Sequence, residues 1–220
     1  SRAGEEVEQL IHSINTMAAT LDRSRALERQ FLLSVSHDLR TPLTSIRGYG
    51  EALADGAVND PVHVGVIIEG EAKRLERLVG DLLLLARLEG TGFEYHTATV
   101  DLGSLVDAAT VGVRHEAEQR SVAITVRTPD EPARIQADPD RYSQVIGNLV
   151  GNALRFAQET VVVRVWKEDG GVHLSVADDG PGISNADLPH VFERLYVAKD
   201  NPSIKESGSG LGLAIVRELT

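Results

Sequence analysis

Apolar positions recur at helical intervals through the first part of the chain. Leu10, Ile14, Met17 and Leu21 step by four, three and four, as in a coiled-coil seam, but the next heptad positions are Ser24 and Glu28. The apolar line resumes at Leu27 and Phe31, so the register shifts near Ser24 in the manner of a stutter or hinge. From there Leu27, Phe31, Val35, Leu39, Leu43, Ile46 and Leu53 mark a helix packed along one side. Asp60 is an N-cap residue followed by Pro61 at the first helical position, and opens a second long helix. That helix runs through Val64, Ile68, Leu75, Leu78, Leu82 and Leu85 and stops near Gly90 and Gly92. The connection around Gly56 to Asn59 is short, which predicts an antiparallel hairpin. Two helices alone bury too little, and with Leu83 and Leu84 beside the seam the expectation is a homodimer forming a four-helix bundle.

After Gly92 the period changes. Tyr95 to Val100 reads as a strand, and Asp101 caps a helix through about Gln119. Val122, Ile124 and Val126 alternate, and Ile135 marks another short strand. Asp138-Pro139 repeats the cap-and-proline signal for a helix to about Phe156. Val161, Val163 and Val165 alternate, Asp169-Gly170-Gly171 turns, and Val172, Leu174 and Val176 alternate again, which predicts a β-hairpin. A Gly- and Ser-rich stretch then leads to a last helix near Gly210. The fold class expected is α+β, a helical hairpin followed by an α/β sandwich, with the domain boundary at about residues 90 to 97.

Composition narrows the function. The 220 residues are 42% hydrophobic and 25% charged, an ordinary globular balance. A net charge of -11 argues against nucleic acid as a partner, because a phosphate backbone demands clustered Lys and Arg. One nucleotide remains possible, since a metal ion, a few basic groups and helix-terminal amides can hold it. The absence of cysteine removes disulfides, thiol catalysis and thiolate metal sites. The longest apolar run, Leu82 to Ala86, is far short of the roughly 20 residues that span a bilayer, and no signal peptide opens the chain, so no membrane contact is expected of this segment.

Four patches could carry chemistry. In Ser36-His37-Asp38-Leu39-Arg40-Thr41-Pro42-Leu43 an imidazole, a carboxylate and a hydroxyl lie within five helical positions. At about 100° per residue His37 and Thr41 share a face turned away from Val35 and Leu39. A lone histidine on a helix is most often an ordinary surface residue; the other patches change that weighting. Asn148, Asn152 and Arg155 fall on one face of a later helix beside Gly147 and Gly151, a poor surface design given their weak helix propensity. An amide oxygen suits Mg²⁺, and an arginine suits a phosphate. Asp178-Asp179-Gly180-Pro181-Gly182 follows a strand, where a carboxylate can accept from an exocyclic amine and glycines admit a planar ring. Gly208-Ser209-Gly210-Leu211-Gly212 precedes a helix and offers amides to phosphates.

In this order, SHDLRTPL, NLVGNALRF, DDGPGI and GSGLGL resemble the H, N, G1 and G2 boxes of the sensor histidine kinases of two-component signalling, with Phe192 to Tyr196 similar to the F-box. The stretch from Glu5 to Leu21 is similar to the final helix of a HAMP signal-relay module. The resemblance implies residues 1–24 as the end of that helix, 25–92 as a dimerisation and histidine-phosphotransfer domain, and 93–220 as a Bergerat-type ATP-binding domain. It makes His37 the phosphorylated nucleophile, Asp38 its activating carboxylate, and Thr41 the position that in related kinases orients a water for dephosphorylating the response regulator. Pro42 removes a backbone bond to the carbonyl of Asp38 and is expected to bend the helix.

For the cofactors ATP and Mg²⁺, the resemblance assigns Asn152 to the metal, Asn148 and Arg155 to the phosphates, and Asp178 to adenine. Gly180, Gly182, Gly208, Gly210, Leu211 and Gly212 belong to the pocket and lid. ATPases of the gyrase and Hsp90 type carry a water-activating glutamate at the place of Asn148, and its absence favours phosphoryl transfer to His37 over hydrolysis. Val197 stands where many relatives have an arginine, leaving Lys199 or Arg194 to supply the lid's positive charge. The chain ends at Thr220, where relatives continue through further helix and two strands, so an incomplete ATP-binding sheet is expected. The implied partners are a second copy and a cognate response regulator, and the implied setting is the cytoplasmic side of the bacterial inner membrane. Two other readings stand beside this one: a non-catalytic dimerisation and relay module with a vestigial nucleotide site, and a simple ATPase.

Overall fold

The computed structural model describes residues 2–90, 94–196 and 210–220, without the side chains of residues 2–11, 13, 24, 27 and 89. The chain divides into two compact units, Ser1–Arg77 and Leu78–Thr220.

The first unit is built from α1 (Arg2–Ala54) and the first part of α2 (Pro61–Glu89). Helix α1 is continuous through Ser24 and through Pro42, so the change in apolar register moves the seam to another face without breaking the backbone. The connection turns at Gly56 (φ +65°), and the Asp60 carboxylate caps α2 by accepting from the N–H groups of Val62 at 3.1 Å and His63 at 3.0 Å. Pro42 and Val64 are buried, whereas Ile14, Met17, Leu21, Leu32, Leu33, Leu43, Val62 and Val66 are exposed.

In the second unit, β1 (Ala98–Asp101) pairs antiparallel with β3 (Arg134–Ala137). A separate sheet has the order β2-β4-β5, in which β2 (Ala123–Arg127) runs parallel to β4 (Thr160–Glu168) and β4 antiparallel to β5 (Gly171–Asp178). Helices α3 (Leu102–Gln119), α4 (Pro139–Phe156) and α5 (Gly212–Leu219) complete the unit, α4 packing against both of the others and against β4 and β5. Val161, Val163 and Val165 alternate inward along β4 to meet Val106, Ile146, Val150 and Leu154 in one core. The hairpin reverses through Asp169 (φ +52°) and Gly170 (φ +77°), two left-handed residues that match the twist of the flanking strands.

The first strand is shorter than its alternation predicts, beginning at Ala98 and not Tyr95. Its partner runs out at Ala137, paired with Ala98, because the next residue, Asp138, leaves the sheet to cap α4. The Asp138 carboxylate accepts from Asp140 and Arg141 at the helix start and also from the His96 N–H at 3.0 Å, which takes the donor that a longer strand would need. The His96 amide is the largest cause of the lowered pKa of Asp138, with burial opposing and the two helix amides adding to it.

Candidate functional site

On α1, the side chain of His37 is 78% exposed, and its Nδ1 lies 3.5 Å from Oδ1 of Asp38. Thr41 shares the histidine's face, one turn on, and its hydroxyl donates to the carbonyl of His37 at 3.2 Å. Pro42, the next residue, is buried while its neighbours Thr41 and Leu43 are exposed. Patterning overlooked one feature of this face. An open groove of about 650 Å³ runs along α1 from His37 past Arg40, Thr41, Ser45 and Tyr49. The signal was present as small residues, Thr41, Thr44, Gly48 and Ala52, recurring at helical spacing from the histidine.

The second patch is carried by α4, whose Asn148 and Asn152 are half-buried at successive turns. The side-chain nitrogen of Asn148 is buried and has no hydrogen-bond partner among the described residues, an orphaned donor of the kind a bound phosphate would satisfy. Gly212, at the start of α5, sits against it: a Cβ built there would lie 3.6 Å from Asn148 Oδ1. Among the described residues no side chain caps α5, whose first residue is the Gly212 that adjoins Asn148. The Leu211 side chain is fully buried in the unit, and its carbonyl accepts from the Ile215 N–H at 2.9 Å. Arg155 rests over the ring of Phe156, its guanidinium carbon 5.9 Å from the centroid.

The third patch leaves β5. Asp178 is exposed and accepts from the Gly180 N–H at 2.9 Å through Oδ1. Gly180 is obligatory on steric grounds, because a Cβ there would stand 2.4 Å from the carbonyl oxygen of Phe156 at the end of α4. Beside it, Asp179 was not singled out by sequence. Its carboxylate accepts from the backbone N–H groups of Gln158 (2.8 Å), Glu159 (3.1 Å to each oxygen) and Thr160 (3.1 Å). Burial works to raise its pKa, and the amides of Thr160, Glu159 and Gln158 more than offset this, bringing it from the ordinary 3.8 to about 2.

Beyond Gly182 the segment is knitted internally. Ser184 and Tyr196 both donate to the Asp187 carboxylate, and His190 stacks on Tyr196 and meets Glu193 at 2.8 Å. The Leu195 N–H donates to the carbonyl of Gly210 at 2.9 Å, and a Cβ on Gly210 would come within 2.8 Å of Leu195 Cα. Arg194 is engaged by Glu218 of α5 at 3.6 Å. Of the two cations expected to serve the lid, this one is therefore committed to a carboxylate. Lys199, Val197 and Gly208 lie outside the described residues. Among the described residues no group of three or more His, Asp or Glu is arranged to hold a metal ion, so a cation here would rely on Asn152 and on ligand oxygens.

Comparison with known proteins agrees with this arrangement. Residues 27–91 match the His Kinase A (phospho-acceptor) domain family, and residues 137–220 match the histidine kinase-, DNA gyrase B- and HSP90-like ATPase family. The signal transduction histidine-protein kinase BaeS of Escherichia coli is 32% identical over 213 residues, covering 96% of this chain and 45% of that protein. The sensor histidine kinase TrcS of Mycobacterium tuberculosis is 36% identical over 231 residues, covering 98% of this chain and 44% of that protein. Among solved structures, full-length ShkA in complex with AMPPNP is similar with a TM-score of 0.61 and 29% identity, over 87% of this chain and 40% of that one. The Acinetobacter baumannii histidine kinase AdeS shares the fold, with a TM-score of 0.66 at 23% identity over 83% of this chain and 85% of that one. The chain belongs to the sensor histidine kinases of two-component signalling. It spans about half the length or less of the curated relatives it matches. No described helix is long and apolar enough to cross a membrane.

Proposed function

We propose that this chain is the ATP-dependent autokinase core of a sensor, in which His37 takes the γ-phosphoryl group of ATP and passes it to an aspartate of a response regulator. The reading is supported by an exposed His37 with its Nδ1 facing Asp38 in the first unit and, in the second, by the amide of Asn148 that lacks a partner among the described residues at the start of α5. If Nδ1 carries the proton toward Asp38, Nε2 keeps its lone pair for attack, and the carboxylate stabilises the cation that develops. A bond forms between the imidazole nitrogen and the γ-phosphorus as the bond to the β-γ bridging oxygen breaks, and ADP departs. Asp178 accepts from the exocyclic amine of adenine, while Asn148, Arg155 and the α5 amides of Gly210 to Gly212 neutralise phosphate charge. Asn152 would hold Mg²⁺, which when bound draws charge from the phosphate oxygens.

The same reading gives residues 1–24 the role of a HAMP-like signal helix, 25–92 that of the dimerisation and phosphotransfer domain, and 93–220 that of the ATP-binding domain. The exposed leucines and valines of α1 and α2 support a homodimer as the state in which they are covered. The groove beside His37 supports docking of the regulator there, with Thr41 serving dephosphorylation of that partner. On this reading the parent protein works at the cytoplasmic side of an inner membrane. Incubation of the chain with γ-labelled ATP and Mg²⁺ tests the reading. The label is expected on the protein, stable in base and lost in acid, and absent from His37→Gln. Phosphate release unaffected by that substitution, with no label on the parent, would make the chain an ATPase; nucleotide binding with neither outcome would make it a relay module.

A further inference from the structure

The proposed nucleotide site has two halves that are distant in sequence. Asn148, Asn152 and Arg155 ride on α4, which ends at Phe156, while Asp178, Gly180 and Gly182 follow β5, after the whole β4-β5 hairpin. The halves meet where Asp179 grips the α4-β4 connection. Three consecutive amides, Gln158, Glu159 and Thr160, donate to its two carboxylate oxygens. In return its own N–H donates to the carbonyl of Thr160 at 3.3 Å. On the next residue, the bare Cα of Gly180 packs against the Phe156 carbonyl, a fit that leaves no room for a methyl group.

We infer that Asp179 is the positioning residue of this site: by clamping the end of α4 to the exit of β5 it fixes where Asp178 stands relative to the phosphate-binding helix, and so sets the preference for adenine. The inference rests on the nucleotide reading proposed above. Charge makes aspartate the fitting residue. A carboxylate has two acceptor oxygens for three converging donors, whereas an asparagine keeps one oxygen and turns an NH₂ toward amides that also donate. Serine or alanine at this place leaves the amides of residues 158–160 to water. The Asp178 carboxylate accepts from the Gly180 N–H only two residues on, so its direction is inherited from the segment that Asp179 ties down.

The test compares two nucleotides on the full chain by calorimetric titration with Mg²⁺ present: ATP, and purine riboside triphosphate, which lacks the exocyclic amine that Asp178 would read. The parent is expected to prefer ATP by about ten- to a hundredfold, the scale of one hydrogen bond to a charged acceptor. Asp178→Ala sets the ratio when that bond is gone. In Asp179→Ala the ratio is expected to fall to within about twofold of the Asp178→Ala value, while purine riboside triphosphate binds nearly as it does to the parent. Asp179→Asn, with one acceptor oxygen kept, is expected to restore part of the preference. A purely structural role predicts something else: both nucleotides weaken together and the ratio persists, which overturns the inference. Circular dichroism checks folding, and if the alanine variant is unfolded the asparagine variant decides by the same ratio, an unchanged preference counting against the clamp. A parent that binds ATP without preferring it overturns the role of Asp178, and a parent that binds neither nucleotide overturns the proposed function itself.

Discussion

The two units of this chain hold their functional side chains in opposite ways. In the first, His37 stands in the open on a long helix, with the Asp38 carboxylate 3.5 Å away and uncovered leucines such as Leu33 and Leu43 on the same helix. In the second, the candidate ligand groups are closely fitted: Gly180 against the Phe156 carbonyl, Gly210 against the Leu195 backbone, and Gly212 against the Asn148 side chain. A core of Ile146, Val150, Leu154, Val161 and Val163 lies beneath them. The contrast fits the division of labour in the function proposed above. A group that must be visited by two different partners, a nucleotide and then a regulator, needs access more than confinement. A pocket that must align a phosphoryl group needs its donors fixed before the ligand arrives.

The comparison can be broken most severely at the phosphate side of the second unit. Asn152→Ala is expected to lower protein-bound label by about a hundredfold or more, the scale on which removing a charge-stabilising group costs, without changing the helical signal in circular dichroism. Gly180→Ala is expected to abolish nucleotide binding in the same titration, since its methyl group would meet the end of α4 at 2.4 Å. In contrast, Thr41→Ala on the open helix is expected to leave autophosphorylation within a few-fold of the parent, because its hydroxyl is bonded to the carbonyl of its own helix, and to lower only dephosphorylation of the regulator.

Stability sharpens the same contrast. Leu154 is fully buried, and Leu154→Ala is expected to cost about 2–5 kcal/mol in denaturant unfolding. Leu33 is 72% exposed, and Leu33→Ala is expected to shift the unfolding midpoint within about 0.5 kcal/mol when dilute. Its effect should emerge instead as weaker self-association in sedimentation, where the covered face contributes.

Acid should weaken the second unit through three carboxylates. Asp101, whose pKa is lowered chiefly by the Ser104 hydroxyl, Asp138 and Asp179 all have folded values below their ordinary ones. Each therefore contributes stability that is complete above the unfolded value near 3.8 and is lost as pH falls toward the folded value, about 2 for Asp179. Unfolding followed at the single Trp166 on β4 is expected to weaken over that window, and to weaken less steeply in Asp179→Asn.

Much of this was legible in the chain itself. The cap-and-proline pairs Asp60-Pro61 and Asp138-Pro139 located both helix starts, and the alternating valines with Asp169-Gly170 located the hairpin, because each signal is local and has one physical meaning. That His37 and Asn148 ride on helices and that Asp178 ends a strand followed from the same local signals. What sequence did not yield depends on pairing across distance. Nothing local says that Asp138 will also bind the His96 amide and shorten β1, or that Asp179 will grip residues twenty positions away. The engagement of Arg194 by Glu218 is of the same kind, and it redirects a cation that the F-box pattern had left open for the lid.

Mapping the phosphoryl group by mass spectrometry at alkaline pH, after exposure to ATP and Mg²⁺, bears most directly on the account. Modification is expected on the peptide that contains His37, on the imidazole, and is expected to be removed by brief acid treatment. Finding an acid-stable phosphate on Ser36 or Thr41 instead, or ATP consumed while His37 remains unmodified, would contradict it.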